Sequence, residues 1–409
     1  MKVRIHRGAS EIGGSCVELQ ACGECLVLDA GMPLTLRDGV IPTAPKIDAE
    51  QLQAIVISHG HLDHYGLLPC FPKVPIVMGE VARRIVEVAS PFMPTRISSL
   101  SGPNLVDRET LEIGPFKITP YLVDHSAYEA YALLVEAEGK RLFYSGDFRI
   151  HGRKKNAVER LMASPPPNID ALLLEGTTVG RSTQEATPVT EGELEDKFAE
   201  IFRFTPGLAL IHVSAQNIDR LVSIFRACVK TNRTLLIDLY TAMILEATGN
   251  PKIPQSHWDQ VALCIPQSQR LQIKRNKWFS DLKRHAKRRV FLDKQVAAKP
   301  ENYVLLFRNL WMGDLDASNA LAGGCFIHSQ WEGYLSAQRF LDVKNWRQEH
   351  QLPFHTIHTS GHASPSDLRR FVTSLAPKIL VPIHTDAPER YCELYPHVAL
   401  RPDGEFWEI

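Results

Sequence analysis

The first 180 residues contain short apolar runs that end in polar or ionisable residues. The runs "KVRIH", "SCVELQA" and "ECLVLDAG" predict strands, and the last two predict a hairpin around Gly23. "LQAIVISHG" is a further β-branched run. "FKITPYLVDHS", "YALLVEAEGKRLFYSGDF" and "IDALLLEGTT" repeat the pattern and carry His125, Asp147 and Glu175 at their ends. Binding and catalytic residues often lie on such loops, so we expect the chemistry there.

After Gly180 the pattern changes to alternating helices and strands. "TEGELEDKFAEIF" predicts a helix that opens with Thr190 and Glu193 in capping-box spacing. Strand-like and helix-like stretches then alternate through "GLALIHV", "QNIDRLVSIFRACV", "RTLLIDLY" and "TAMILEAT", which predicts a parallel α/β unit. Near the end, "SPSDLRRFVTSLAP" predicts a helix capped by Ser364, and the strand "KILVPIH" delivers His384.

Composition narrows the class of protein. A hydrophobic fraction of 44% in 409 residues is typical of globular chains, and 46 basic residues balance 46 acidic ones. The 8 cysteines are irregularly spaced, which favours a reducing compartment over a disulfide framework, and we interpret "CGEC" as structural. The N-terminus lacks an apolar signal core, and no run of about 18 apolar residues is present. We therefore expect a soluble, cytoplasmic protein without a membrane partner.

The stretch "SHGHLDHYG" follows an apolar strand and is unusually rich in metal-ligand side chains, namely His59, His61, Asp63 and His64. A solvated polar turn is the alternative interpretation. The density of imidazole and carboxylate groups favours a metal site, and alternating positions could serve two adjacent ions. Further ligands must come from elsewhere, and suitable candidates stand at other strand ends: His125, Asp147 and His384.

These motifs resemble those of a known family. "HGHLDH", "LVLDAG" with Asp29, "VDHS" and "YSGDF" are similar to the ordered motifs of the metallo-β-lactamase fold. "LLLEGTT" with Glu175, "HTSGHAS" with His362 and "LVPIHTD" resemble the additional motifs of the β-CASP nucleases. The resemblance implies an α/β protein, a metallo-β-lactamase αββα sandwich with an inserted parallel β-CASP domain. We expect residues 1–180 and 351–409 to form the sandwich and residues 181–350 the insertion.

The resemblance also implies roles for individual residues. One metal would be held by His59, His61 and His125, and the other by Asp63, His64 and His384. Asp147 would bridge the two ions, and Asp29 would hydrogen-bond a ligand. Asp63, His362 and Glu175 would act in catalysis. His362 would contact the scissile phosphate, and Glu175 would orient His362. Two Zn²⁺ ions are expected, and the donor set also suits Mn²⁺.

The implied activity is hydrolysis of phosphodiester bonds in single-stranded RNA by a hydroxide that two metals activate, in 5′-exonuclease or endonuclease mode. Three alternatives stay open: a DNA nuclease of the same family, a small-molecule hydrolase cleaving a thioester or lactone, and a catalytically silent scaffold. The expected partner is RNA or single-stranded DNA, and a homo-oligomer is compatible with the resemblance. Further candidates for substrate binding are Ser214, Asn217 and Ser360.

A basic stretch lies inside the expected insertion, at residues 270–294. It contains ten Lys or Arg against two Asp, so the rest of this neutral chain carries a net charge of −8. Basic groups can neutralise phosphates while aromatic rings stack on unpaired bases. The nucleic-acid candidates are Lys283, Arg284, Arg288, Arg289 and Trp278. A solvated helix face explains the same pattern equally well.

Overall fold

The structure is a computed structural model that describes residues 1–34, 43–93, 96–97, 100–181, 188–336 and 338–409, without the side chains of residues 336, 338 and 339. Its contacts divide the chain into two units. Unit 1 comprises Met1–Pro188 and Gly361–Ile409, and unit 2 is Val189–Ser360. The boundaries expected from the sequence are residues 180 and 350. The second boundary lies later because Phe354–Thr356 forms a strand in the unit 2 sheet.

The described residues form strands and helices with the following bounds. The strands are β1 Lys2–Arg7, β2 Cys16–Ala21, β3 Glu24–Leu28, β4 Leu52–Val56, β5 Ile76–Gly79, β6 Asn104–Leu105, β7 Leu111–Ile113, β8 Phe116–Val123, β9 Ala130–Ala137, β10 Lys140–Tyr144, β11 Ala171–Leu174, β12 Ala209–His212, β13 Thr234–Ile237, β14 Val261–Leu263, β15 Tyr303–Phe307, β16 Cys325–His328, β17 Phe354–Thr356, β18 Ile379–Pro382 and β19 Phe406–Glu408. The helices are α1 Leu62–Tyr65, α2 Glu80–Ala89, α3 Lys155–Ala163, α4 Glu191–Phe204, α5 Ile218–Lys230, α6 Leu239–Ala247, α7 Gln267–Asn276, α8 Phe279–His285, α9 Met312–Asp316, α10 Gln338–Glu349 and α11 Pro365–Leu375.

Unit 1 is built from two stacked sheets, ordered β19-β1-β2-β3-β4-β5-β6 and β18-β11-β10-β9-β8-β7. Alternate residues of both sheets, such as Val17 and Leu133, meet in one apolar core. The outer face of the first sheet packs against α2 through Val86. The outer face of the second packs against α3 and α11 through Leu161 and Phe371. This helix–sheet–sheet–helix layering confirms the predicted αββα sandwich.

Strand direction brings the ionisable tips of unit 1 together. In the second sheet, β10, β11 and β18 run parallel, and β8 shares their direction because β9 is antiparallel to both β8 and β10. Their carboxyl ends therefore lie at one edge, followed by His125, Asp147, Glu175 and His384. In the first sheet, β3 and β4 are parallel and end just before Asp29 and the "SHGHLDHYG" loop.

Unit 2 contains a sheet ordered β14-β13-β15-β12-β16-β17. Every strand pairing within it is parallel, which confirms the prediction of a parallel α/β unit. The predicted capping box is also present: Thr190 Oγ1 accepts from the Glu193 amide, and the Glu193 carboxylate accepts from the Thr190 amide. Within the described part of the chain, no helix has both the length and the apolar character needed to cross a bilayer.

Candidate functional site

Three imidazoles in unit 1 form a first group of possible metal ligands. Nδ1 of His61 lies 3.2 Å from Nε2 of His59 and 3.1 Å from Nε2 of His125. A tetrahedral ion with bonds of about 2.0–2.1 Å would place ligand nitrogens about 3.3 Å apart, so this spacing suits one cation. Nδ1 of His125 donates to the Gly361 carbonyl at 2.6 Å, which turns the Nε2 lone pair toward the group.

A second group consists of Asp63, His64 and His384, whose donor atoms lie within 4.8 Å of one another. Asp63 and His64 come from the short helix α1, directly after the first imidazoles. Oδ2 of Asp63 is 3.9 Å from Nε2 of His64 and 3.9 Å from Nε2 of His384. His384 follows β18, and its Nδ1 lies 2.9 Å from Oγ of Ser15. The second group therefore combines two imidazoles with one carboxylate.

Asp147 lies between the two groups. Its Oδ2 is 3.7 Å from Nε2 of His59 in the first group, and 3.2 Å and 3.7 Å from Nε2 of His64 and His384 in the second. Burial alone would raise the pKa of Asp147, but the charges of His384, His64 and His362 outweigh it and hold that pKa well below its ordinary value. The carboxylate is thus ionised and positioned to contact cations on both sides.

The surroundings of the two groups test whether metal ions fit. Nε2 of His64 and Oδ1 of Asp147 are buried and have no hydrogen-bond partner among the described residues. Burial disfavours a charged His64, but Asp147, Asp29 and Asp63 together raise its pKa well above the ordinary value. The electrostatic field of these three carboxylates therefore favours a positive charge at Nε2, which a cation can supply. Imidazole and carboxylate donors without thiolate suit zinc or manganese.

Burial keeps the first group neutral. It lowers the pKa of His61 to about 4, and it lowers the pKa values of His59 and His125 well below the ordinary value. Neutral imidazole is the form that binds metal, because protonation occupies the lone pair. These histidines therefore need no deprotonation to bind a metal near neutral pH.

A buried hydrogen-bond cluster around Asp29 supports the second group. Oδ2 of Asp29 accepts from Nδ1 of His64 at 2.7 Å, from the Tyr144 hydroxyl at 2.7 Å and from the Ser58 hydroxyl at 2.8 Å. The Ser58 amide donates to Oδ1 at 2.7 Å. Ser58, Tyr144 and Ser15 are not among the site residues predicted from the sequence, although Ser58 directly precedes His59 and Tyr144 lies in "YSGDF".

His362 and Glu175 lie beside the metal-ligand groups. Nδ1 of His362 is 3.3 Å from the Glu175 carboxylate and 3.8 Å from Oδ2 of Asp147. Glu175 is buried and also accepts from the amides of Phe148 and Thr177, at 3.3 Å and 3.1 Å. These bonds fix the carboxylate, so it can orient the His362 ring. His362 keeps a side-chain exposure of 20%, which leaves it accessible from solvent.

Comparison with known families agrees with this geometry. Residues 10–203 match the metallo-beta-lactamase superfamily, and residues 351–391 match the Zn-dependent metallo-hydrolase RNA specificity domain. The chain therefore contains a metallo-β-lactamase domain. Members of this superfamily are metal-dependent, in keeping with the histidine and aspartate groups of unit 1.

Three named relatives cover 60–98% of the chain at 21–27% identity. Ribonuclease J from Mycoplasma genitalium is 21% identical over 94% of this chain, which spans 67% of that protein's length. Ribonuclease J from Helicobacter pylori is 22% identical over 98% of this chain, which spans 57% of that relative. Endoribonuclease YSH1 from Eremothecium gossypii is 27% identical over 60% of this chain, and the match spans 34% of that relative's length. A crystal structure of a protein of unknown function from Enterococcus faecalis shares the fold, with a TM-score of 0.79 at 20% identity over 99% of both chains.

The remaining substrate-binding candidates have mixed environments. Ser214 is exposed on the loop after β12. Asn217 accepts from the Arg220 amide at 3.1 Å and so caps α5, which gives its side chain a structural role. Ser360 is the last residue of unit 2 and is partly buried. Of the three, Ser214 presents the most accessible side chain.

The basic candidates lie on and after α7 and α8 of unit 2. Arg284 is ion-paired with Glu246 at 3.0 Å, and Arg288 with Asp259 at 2.6 Å. The guanidinium of Arg289 lies 4.9 Å from the centre of the Phe291 ring. Two further candidates differ in exposure: Lys283 is exposed, and Trp278 is partly buried where α7 gives way to α8.

Proposed function

We propose that the chain is a metal-dependent nuclease of the β-CASP type that hydrolyses phosphodiester bonds of single-stranded RNA. The single observation that carries the proposal is the convergence of seven imidazole and carboxylate ligands beside the Glu175–His362 pair. Relatives named Ribonuclease J and Endoribonuclease YSH1 support RNA as the substrate. The match to an RNA specificity domain supports the same substrate class.

We assign the ligands to two ions. His59, His61 and His125 would hold one, Asp63, His64 and His384 the other, and Asp147 would contact both. Bound there, the metals would supply Lewis acidity at a phosphoryl oxygen and lower the pKa of a water molecule. We expect zinc. Manganese is the alternative, because a donor set of imidazole and carboxylate without thiolate also suits it.

The protein's own acid–base groups complete the proposed site. The Glu175 carboxylate accepts from Nδ1–H of His362, which fixes the ring and leaves Nε2 to face the substrate. A proton held at Nε2 can pass to the 3′ oxygen as it leaves phosphorus. The carboxylate of Asp63, with a side-chain exposure of 15%, would help to hold the second ion.

One cleavage assay tests the proposal. Purified full-length protein is incubated with end-labelled single-stranded RNA and DNA of one sequence, each carrying a 5′-monophosphate, 5′-triphosphate or 5′-hydroxyl end. We expect RNA to be cut and a strong chelator to stop the reaction. Mononucleotides released from the 5′ end would assign exonuclease action, and internal fragments endonuclease action. Absence of cleavage with both added Zn²⁺ and added Mn²⁺ would overturn the proposal, and cleavage restricted to DNA would reassign the substrate.

A further inference from the structure

Helices α7 and α8 of unit 2, with the short segment after them, carry exposed cations that have no anionic partner in the part of the chain that the structure describes. Within the described residues, these side chains form no ion pair and no hydrogen bond: Lys274, Arg275, Lys277, Lys283 and Lys287. Such charges raise the local concentration of polyanions, because no described carboxylate forms an ion pair with them. The chain as a whole has a formal charge of zero, so this concentration of charge is a local feature.

The exposed cations share helix faces with apolar side chains. On α7, Gln269 and Ile273 point inward, whereas Leu271, Lys274 and Arg275 are exposed. On α8, Phe279 is 56% exposed and stands one turn before Lys283, so the two occupy the same side of the helix. An aromatic ring among unpaired cations is the arrangement that binds single-stranded nucleic acid: cations contact phosphates and the ring stacks on a base.

Local contacts distinguish these residues from their neighbours in the same basic stretch. Arg284 and Arg288 already contact carboxylates, and their charges are partly neutralised. Trp278 is more buried than Phe279, and its amide donates to the Ile273 carbonyl at 3.1 Å, which ties the junction to α7. Of the two aromatic rings, that of Phe279 is therefore the more accessible for stacking.

We propose that a surface formed by Lys274, Arg275, Lys277, Phe279, Lys283 and Lys287, which we call the α7–α8 surface, binds the backbone and one unpaired base of single-stranded RNA. The inference rests on the proposed function for the choice of RNA, but its residues are separate from the metal ligands. The α7–α8 surface would hold the substrate chain by a contact independent of base sequence.

Charge replacement tests the backbone contact. RNA affinity is measured by fluorescence anisotropy at several salt concentrations, with full-length protein carrying Asp63→Ala to prevent cleavage. The test variant is Lys274→Gln/Lys283→Gln/Lys287→Gln. The control, Lys197→Gln/Lys299→Gln/Lys344→Gln, removes the same charge from exposed lysines elsewhere in unit 2. For the test variant, we expect the slope of log affinity against log salt to fall in magnitude by about 2, because each lost phosphate contact contributes about 0.7. The control should keep the parental slope.

Replacement of one ring tests the stacking contact. Phe279→Ala should weaken RNA binding by about 5- to 150-fold. Phe204→Ala is the control, because Phe204 is 80% exposed at the end of α4 and lies outside the α7–α8 surface. An unchanged salt slope in the lysine test variant, or equal effects of the two lysine variants, would overturn the proposal, and the patch would then suit an acidic protein partner. Binding and cleavage are measured separately. A result showing that the α7–α8 surface does not bind RNA would therefore leave the nuclease assignment intact. Absence of cleavage would likewise not alter the binding result.

Discussion

Nδ1 of His64 lies 2.7 Å from Oδ2 of Asp29, and neither side chain is exposed to solvent. A carboxylate only accepts hydrogen bonds, so this contact places the imidazole proton on Nδ1 and directs Nε2 toward Asp63 and Asp147. Asp29 itself adopts a left-handed backbone conformation, with φ of 57°. The buried carboxylate thus determines which nitrogen of His64 a metal would meet.

Tyr144 contributes to this arrangement through one hydrogen bond to Asp29. We predict that Tyr144→Phe lowers the free energy of unfolding by about 1.5–3 kcal/mol, because a buried carboxylate loses a donor while the ring keeps its packing. Chemical denaturation of the metal-free protein measures the effect. Tyr121→Phe is the control, since the Tyr121 ring is buried and its hydroxyl makes no hydrogen bond among the described residues. Equal losses in the two variants would contradict the assigned role of the Tyr144 hydroxyl.

Metal content should follow the two ligand groups. We predict two transition-metal ions per chain, and the loss of about one ion when His61→Ala disrupts the first group or His384→Ala the second. Elemental analysis after gel filtration gives the stoichiometry.

Asp63→Ala and His64→Ala should also abolish phosphodiester cleavage while leaving the circular dichroism spectrum unchanged. Purified protein with only trace metal, together with activity that resists strong chelators, would contradict this prediction.

Metal removal should also lower thermal stability. An ion that binds the folded chain and not the unfolded chain stabilises by mass action, by about 2.7 kcal/mol at 100 times its dissociation constant. We therefore expect a strong chelator to lower the melting temperature and added Zn²⁺ to restore it. The same titration on His384→Ala should show a smaller shift, because one group of ligands is incomplete. A melting temperature that does not respond to chelator would indicate that the groups hold no ion.

His362 should affect turnover more than substrate binding. If its Nε2 supplies the proton to the leaving oxygen, His362→Ala should lower kcat by about 10²- to 10⁴-fold with little change in KM. Glu175→Gln keeps the shape of the orienting residue but removes its charge, and we expect a smaller loss of kcat. A His362→Ala variant with normal kcat and a strongly raised KM would reassign this residue to substrate anchoring.

Much of the fold could be predicted because its determinants are local. The apolar runs before Asp147, Glu175 and His384 show where strands end, and the alternation of helix-like and strand-like stretches after Gly180 predicts the parallel sheet of unit 2. The capping residues Thr190 and Ser364 mark helix starts with one or two side-chain contacts. Such features require only neighbouring positions, which the sequence displays directly.

Other features depend on contacts between distant segments. Tyr144 reaches Asp29 across 115 positions, and a tyrosine at the end of a strand has many ordinary explanations. The partners of Arg284 and Arg288 are Glu246 and Asp259, which come from other elements of unit 2. The basic stretch therefore looked uniformly charged in sequence, whereas the fold neutralises part of it.

A glycine that packs against the backbone of Asp63 provides a last prediction. Gly31 lies so close to Asp63 that a Cβ atom at this position would overlap the Asp63 carbonyl, and its amide donates to the Ser15 carbonyl at 3.0 Å. The Ser15 amide in turn donates to the Asp63 carbonyl at 3.1 Å, so these three backbone segments are in direct contact. Gly31→Ala must therefore displace Asp63, Ser15 or both.

We expect Gly31→Ala to lower the free energy of unfolding by about 1–3 kcal/mol, as overpacking does, and to reduce metal content by about one ion per chain. The reason for the second effect is that Asp63 and the Ser15 partner His384 both belong to the second ligand group. Gly313→Ala is the control, because a Cβ there would meet no atom within 4 Å. Denaturation curves and elemental analysis of both variants check the prediction. A Gly31→Ala protein with lowered stability but full metal content would contradict the prediction for the metal site. In that case the substitution would not displace the side chains of Asp63 and His384.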